Sequence, residues 1–396
     1  TIPMTSPHTS SGLDPRPLRY GATLPIDRID PLTGSWNEPG SMVFSRPITV
    51  DAVGAFHGDL ADEWEIAPDR MSCRLRARAG VTWHDGVPFG AHDLAFSLGL
   101  TSDPDLAGQV KPALTDVAAI DVAGDTVTVT FSRPVVGLAS TLARTAIVPA
   151  HRFDKAAVLA GAVSADPIGT GPYRVVEREP GIVRFAYHPT HPFAAASPAA
   201  PIATIEMRHV ADDAERARAI AAGELDFGQV KAQHLGAFAD ATAAPHRIAT
   251  RVWRALTFGL NVRHFSDPRV RRAFSMAIDR EQVVAAALGG YGLPQYWPVP
   301  PTSWVSPDVE PLTGRGPAAE LLLEVGWTRD ANYRWVADGE PVRFTFCYLE
   351  TETFRTQASF ELARQFAEFG VKAALEPITW EQYAAMDRVG LRGSGY

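Results

Sequence analysis

At 396 residues the chain exceeds one ordinary hydrophobic core and calls for two or three lobes. Its 46% hydrophobic and 21% charged content describes a globular chain, and a net charge of −8 argues against nucleic acid, whose phosphates demand a clustered basic face. Cys73 and Cys347 are the only cysteines, so neither a disulfide framework nor a cysteine zinc site is suggested, and no apolar run approaches the ~18 residues a membrane span needs.

Residues 1–18 are polar and rich in Pro and Ser, which predicts a flexible arm. They lack the basic-then-apolar layout of a signal peptide. The chain is then either cytoplasmic or numbered after a signal has been removed. A short strand near Tyr20 leads into a loop holding Trp36, Asn37 and Glu38, and an apolar segment from Met42 to Val50 follows. Trp36 is either a lid over a core or a surface that meets a ligand. Residues 60–98 read as a strand pair, a tight turn at Asp85-Gly86 and the start of a helix. A second hairpin turns at Gly124-Asp125, with Val127, Val129 and Phe131 alternating on the return. Arg144 beside the next apolar run offers a fork for a ligand carboxylate or takes part in an ordinary ion pair.

Gly169-Thr170-Gly171 resembles the start of a dinucleotide fingerprint, but Arg174 stands where the third glycine belongs and the next residues read as strand. No helix N-terminus is offered to a pyrophosphate there. A strand over 202–210 precedes a helix capped by Asp212 or Asp213 and ending near Gly223. Residues 251–265 read as a long apolar strand. Asp267-Pro268 opens a helix whose Val270, Phe274 and Ile278 make one buried stripe, and Asp279 with Gln282 opens another that ends at Gly289-Gly290. A Pro-rich connector carries Tyr291, Tyr296 and Trp297. Helix 317–326, a hairpin turning at Asp338-Gly339, helix 354–369, a strand at 371–375 and a helix from Thr379 complete the pattern of an α/β lobe.

Chemistry-bearing motifs are few. His84-Asp85 with His92-Asp93 could be mistaken for a metal site, but the composition is that of a turn and nothing places four ligands around one point. No nucleophile elbow, H-E-x-x-H or P-loop is present, so the expectation is a protein that is not an enzyme and holds no cofactor.

Several segments, taken together, resemble a known family. Leu60-Ala61-Asp62-Glu63-Trp64-Glu65 and Gly80-Val81-Thr82-Trp83-His84-Asp85-Gly86-Val87-Pro88-Phe89 come first, then the helix from Ala91 to Leu98. Pro167-Ile168-Gly169-Thr170-Gly171-Pro172-Tyr173 and Ala222-Gly223-Glu224-Leu225-Asp226 follow. Asn261, Asp267-Pro268-Arg269-Val270-Arg271-Arg272-Ala273 and Ala277-Ile278-Asp279-Arg280 close the series. In this order they are similar to the bacterial extracellular solute-binding proteins of peptide and nickel ABC importers, family 5.

The resemblance implies an α/β, two-lobed periplasmic-binding-protein-like fold of type II with an inserted extra domain. On that template 19–45 plus 168–250 form the first lobe, 46–167 the inserted domain and 251–396 the second lobe. It implies a receptor that captures oligopeptides or dipeptides in an interlobe cleft and delivers them to ABC permease subunits. It further implies a monomer, periplasmic or extracellular, with any lipid anchor supplied by sequence outside this chain. Two departures stand out: Gly90 replaces the Thr or Ser that commonly caps the helix after the Asp-Gly turn, and the chain stops at Tyr396, short of the family's usual length and of the Asp with which peptide receptors hold an amino terminus. The C-terminal part is therefore expected to be truncated. The cleft candidates are Trp36, Asn37, Arg144, Trp253, Arg254, Asn261, Tyr296 and Trp297. A nickel chelate, an opine or an oligosaccharide are alternative ligands within the same fold. An effector-sensing domain of a regulator and a hydrolase are alternatives from other classes.

Overall fold

The computed structural model describes residues 16–32, 38–51, 54–106, 114–189, 191, 202–248, 254–260, 262–299, 306–349, 353–379 and 382. The chain divides into two compact units, Thr1–Val230 with Ala237–Ala244, and Lys231–Gly236 with Pro245–Tyr396.

The first unit runs β1 (Leu18–Ala22), α1 (Glu38–Val43), β2 (Ile48–Val50), β3 (Phe56–Gly58), β4 (Ala61–Ile66), β5 (Ser72–Ala77), α2 (Ala91–Ser102), β6 (Val117–Ala123) and β7 (Thr126–Phe131). It continues through α3 (Leu138–Leu142), α4 (Lys155–Leu159), α5 (Ala162–Ala165), β8 (Tyr173–Glu179), β9 (Ile182–Tyr187), β10 (Thr204–His209), α6 (Asp213–Ala221) and β11 (Phe227–Gly228). Two sheets dominate. One is antiparallel with order β4-β5-β7-β6. Its strands read as alternation dictates: Cys73, Leu75 and Ala77 point inward between Arg74 and Arg76, and Val127, Val129 and Phe131 face them across the ladder. Trp83 and the α2 residues Leu94 and Leu98 close this core.

The other sheet has order β11-β1-β10-β9-β8. Here β1 lies parallel to both β10 and β11, while β8, β9 and β10 pair antiparallel. Its core is separate, with Tyr20, Ile26, Ile29, Phe44, Val148, Val163, Phe185 and Met207 among its members.

The second unit holds α7 (Pro268–Ala277), α8 (Arg280–Leu288), α9 (Arg315–Glu324), β12 (Thr328–Arg329), β13 (Trp335–Ala337), β14 (Glu340–Pro341), β15 (Arg343–Leu349), α10 (Thr353–Glu368) and β16 (Lys372–Ile378). Asp267 caps α7 by accepting from the Arg269 N–H at 2.8 Å, and Asp279 caps α8 by accepting from the Gln282 N–H at 3.0 Å. Gly289, at φ +56°, ends α8. The stripe on α7 centres on Phe274, whose ring lies 5.2–6.4 Å from those of Phe258, Phe265, Trp327, Phe344, Phe366 and Phe369.

Two expectations are corrected in this unit. Residues 254–259 form no strand; Leu256 and Phe258 pack against the core without a ladder, so the apolar character there reflects packing alone. The Asp338-Gly339 turn does join a hairpin, β13 to β14, but only at two register pairs. The chain then leaves it, and β15 pairs parallel with β16 across α10. Seven parallel register pairs outweigh the short hairpin.

Candidate functional site

In an open α/β sheet, ligands meet the carboxyl ends of parallel strands, where loops diverge. In the first unit those ends belong to β1, β10 and β11, and one side chain gathers them. Arg216 on α6 is 0% exposed. Its Nε donates to the Gln229 carbonyl at 2.8 Å, just past β11, and Nη1 to the Val210 carbonyl at 2.6 Å, just past β10. Nη2 pairs with Asp213. The Val210 N–H in turn donates to the Ala22 carbonyl at the end of β1, at 3.0 Å. The arginine's aliphatic stem crosses two glycines that stand opposite each other in the ladder, Gly21 and Gly228. A Cβ on Gly21 would come within 3.2 Å of Arg216 Cγ and Cδ and 2.8 Å of Leu225 Cδ1.

The opposite end of β11 carries the 222–226 motif, and its parts have separate tasks. Gly223 turns at φ +74°, Leu225 is buried, and Asp226 locks onto Arg19. Asp226 accepts from Arg19 Nε at 3.0 Å, Nη2 at 3.0 Å and the backbone N–H at 2.8 Å. Those hydrogen bonds hold its carboxyl down at about 2.

The 167–173 motif is equally structural. A Cβ on Gly169 or Gly171 would run into the backbone carbonyls of Val43 and Met42, and the Gly171 N–H donates to the Val43 carbonyl at 2.8 Å. His84 clamps the loop from the other side. Its Nδ1 accepts the Gly169 N–H at 3.2 Å, so the proton sits on Nε2, which donates to the Gly171 carbonyl at 3.0 Å. Burial pulls His84 down to about 4, and His188, whose ring packs edge-on at 4.7 Å, is lowered by burial as well. Both imidazole nitrogens of His84 are committed to backbone, which leaves none for a metal. Among the described residues no group of three or more His, Cys, Asp or Glu side chains is placed to hold one.

The carboxyl edge of the second unit lies where β15 gives way to α10. Arg254 is exposed and sits over the Phe354 ring, 5.0 Å from guanidinium carbon to centroid, and Arg355 approaches the same ring at 5.4 Å. Tyr296 and Trp297 stand on the connector after α8. Arg280 anchors that connector: its Nε donates to the Gln295 carbonyl at 2.8 Å, its Nη2 to Ser275 Oγ at 2.8 Å, and its guanidinium lies 4.6 Å from the Tyr296 ring. Burial lowers the Arg280 pKa. The Gln295 amide donates to the carbonyls of Trp297 at 3.0 Å and Val299 at 2.7 Å, which fixes the bend over 297–299.

Of the eight candidate residues, Trp36, Asn37, Trp253 and Asn261 lie outside the described residues. Arg144 is exposed in the first unit, just after α3, with no side-chain partner among the described residues. Arg254, Tyr296 and Trp297 are all in the second unit, Arg254 against α10 and the two aromatics on the α8 connector. Sequence reading passed over Arg216. The available signal was a glycine inside each of two strands, which marks close approach by another group.

A family model described as bacterial extracellular solute-binding proteins, family 5 middle, matches residues 55–390. Protein XP55 of Streptomyces lividans is 27% identical over 362 residues, covering 90% of this chain and 65% of that protein. The glutathione-binding protein GsiB of Pectobacterium atrosepticum is 26% identical over 279 residues, covering 68% of this chain and 52% of its own length. This chain thus spans between about half and two thirds of the length of those relatives. Among solved structures, NikA of Brucella suis in complex with Fe(III)-EDTA aligns at a TM-score of 0.82 and 20% identity, over 96% of this chain and 78% of that one. That likeness assigns the two-lobed, type II periplasmic-binding-protein fold. The chain belongs to family 5 of the bacterial extracellular solute-binding proteins, non-catalytic receptors that work outside the cytoplasm.

Proposed function

We propose that this chain is the substrate-binding component of an ABC importer, and that its ligand is a short peptide handed on to the membrane permease. The observation that carries the reading is the family match over 55–390, joined to the resemblance to a glutathione-binding protein, glutathione being itself a short peptide. Exposed Arg144 and Arg254 suit a free carboxylate, and Tyr296 and Trp297 suit side chains packed with tolerance for sequence. Trp36, Asn37, Trp253 and Asn261 complete the proposed contact set. The proposed division places 19–45 and 168–250 in a first lobe, 46–167 in an inserted domain, 251–396 in a second lobe and 1–18 in an arm.

Native mass spectrometry of protein purified from cells weighs any co-purified ligand. Thermal melts with glutathione, trialanine and pentaalanine, beside a nickel–histidine chelate, an opine and mannohexaose, then test the class. A ligand at a hundredfold excess over its dissociation constant stabilises by about 2.7 kcal/mol, several degrees in Tm. The reading expects that shift from at least one peptide. A shift from the chelate, opine or sugar alone, or a co-purified mass belonging to one of them, overturns it.

A further inference from the structure

We propose that Arg216 is a positioning residue for ligand binding: its buried guanidinium holds together the chain segments that leave β1, β10 and β11, and so pre-forms the carboxyl edge of the first unit. This rests on the binding reading above.

A fully buried arginine is costly unless its donors are satisfied. Here the fork is spent on the first residues beyond two parallel strands and on Asp213, and not on the strands themselves. The third strand end joins through Val210, whose N–H meets the Ala22 carbonyl. One planar group therefore sets the spacing of three loops at the edge where an α/β sheet meets its ligand. The facing glycines extend the same design. Gly21 and Gly228 are register partners, and the space they leave is the space the Arg216 stem occupies. Packing alone would be served by an apolar side chain there. The three carbonyl and carboxylate acceptors are served only by a guanidinium.

Arg216→Lys keeps the charge but offers one ammonium that does not reach three acceptors. Its effects are read against wild type and against Val163→Ala, a variant that opens a cavity in the core of the same unit. In the ligand-free protein, exchange of backbone amides over 209–212 and 228–231 should accelerate about tenfold or more, with 182–187 unchanged. The dissociation constant for trialanine, by calorimetry, should rise about tenfold in Arg216→Lys. Val163→Ala, matched in lost Tm, should bind as wild type does. An unchanged affinity, or a loss no greater than in Val163→Ala, makes Arg216 a structural residue and overturns the proposal. Should wild type ignore trialanine, affinity is read with whichever of glutathione or pentaalanine it binds; should it ignore all three, the peptide reading fails by itself and exchange decides alone: opening confined to the two segments upholds the positioning role, and none overturns it.

Discussion

Two places in the first unit require glycine for different reasons. At 169–171 the neighbour is main chain, the carbonyls of Val43 and Met42. At Gly21 and Gly228 the neighbours are side-chain atoms of Arg216, Leu225 and Ile220, with one main-chain contact, between Gly228 and the Gly21 carbonyl. None of the four has a positive φ, so the requirement is steric and not conformational. A backbone pinned by a sheet and a helix has nowhere to move, whereas a side chain moves at moderate cost. Glycines of the first kind report on how a fold is closed; those of the second kind report on the buried side chain they make room for.

The largest effect should come from Gly169→Ala. The added carbon meets the Val43 carbonyl, and relieving that clash breaks the Gly171–Val43 hydrogen bond and the His84 clamp together. A loss of about 3 kcal/mol or more in urea unfolding is expected, at the upper end of overpacking costs. A loss below about 1 kcal/mol would show that main chain yields here as readily as a side chain, and the contrast would collapse.

Gly21→Ala should cost less, about 1–3 kcal/mol, because Arg216 and Leu225 give way. Part of that cost is shared with Arg216. A double-mutant cycle of Gly21→Ala with Arg216→Ala should therefore return a coupling of about 0.5 kcal/mol or more, the double variant being less destabilised than the sum. Additive losses would place the clash on Leu225 alone.

The clamp on the glycine loop can also be tested by acid. His84 is depressed from 6.5 to about 4, so the fold favours its neutral form. Its contribution is complete above pH 6.5 and is lost as pH falls towards 4, where the imidazolium forms and Nδ1 stops accepting from Gly169. The half-buried site sets this at roughly 1–2 kcal/mol. His84→Gln, neutral throughout, should be less stable at pH 7 yet show a flatter stability profile from pH 6.5 to 4. A profile parallel to wild type would mean that other groups dominate the acid slope.

The elements and motifs were legible because they are local. Asp267-Pro268, Asp279 with Gln282, and the alternation of Val127, Val129 and Phe131 each act within a few residues, and each does so in the folded chain. The failures involve distance. Residues 254–259 lie in what reads as a long apolar strand, but pairing depends on a partner that local pattern does not reveal. Arg254 reaches Phe354, Gly21 faces Gly228, and His84 reads Gly169, all from far along the chain. The sequence names Arg254 and Tyr296 as donors and rings; only folding shows that both already stack within the second unit.

A third kind of glycine sharpens the contrast from its weak side. Gly90 precedes α2 with φ −158°, extended backbone open to any residue, and a Cβ there would meet nothing within 4 Å. No steric reason keeps a side chain out, although the position lacks the Ser or Thr that its surroundings suit. The missing cap is partly replaced by Asp93, which accepts the Gly90 N–H at 3.0 Å, the Trp83 indole N–H at 3.3 Å and the Ala150 N–H at 2.9 Å. One carboxylate thereby ties the helix start to the Trp83 core and to the segment before α4. Gly90→Ser would complete the reciprocal half, its hydroxyl accepting from the Asp93 N–H while the unfolded chain loses glycine's extra freedom. A gain of about 0.5–1 kcal/mol in unfolding free energy should follow. Gly90→Ala, which adds the carbon without the acceptor, separates the two contributions: a gain equal to that of Ser would assign all of it to the unfolded chain and none to the cap.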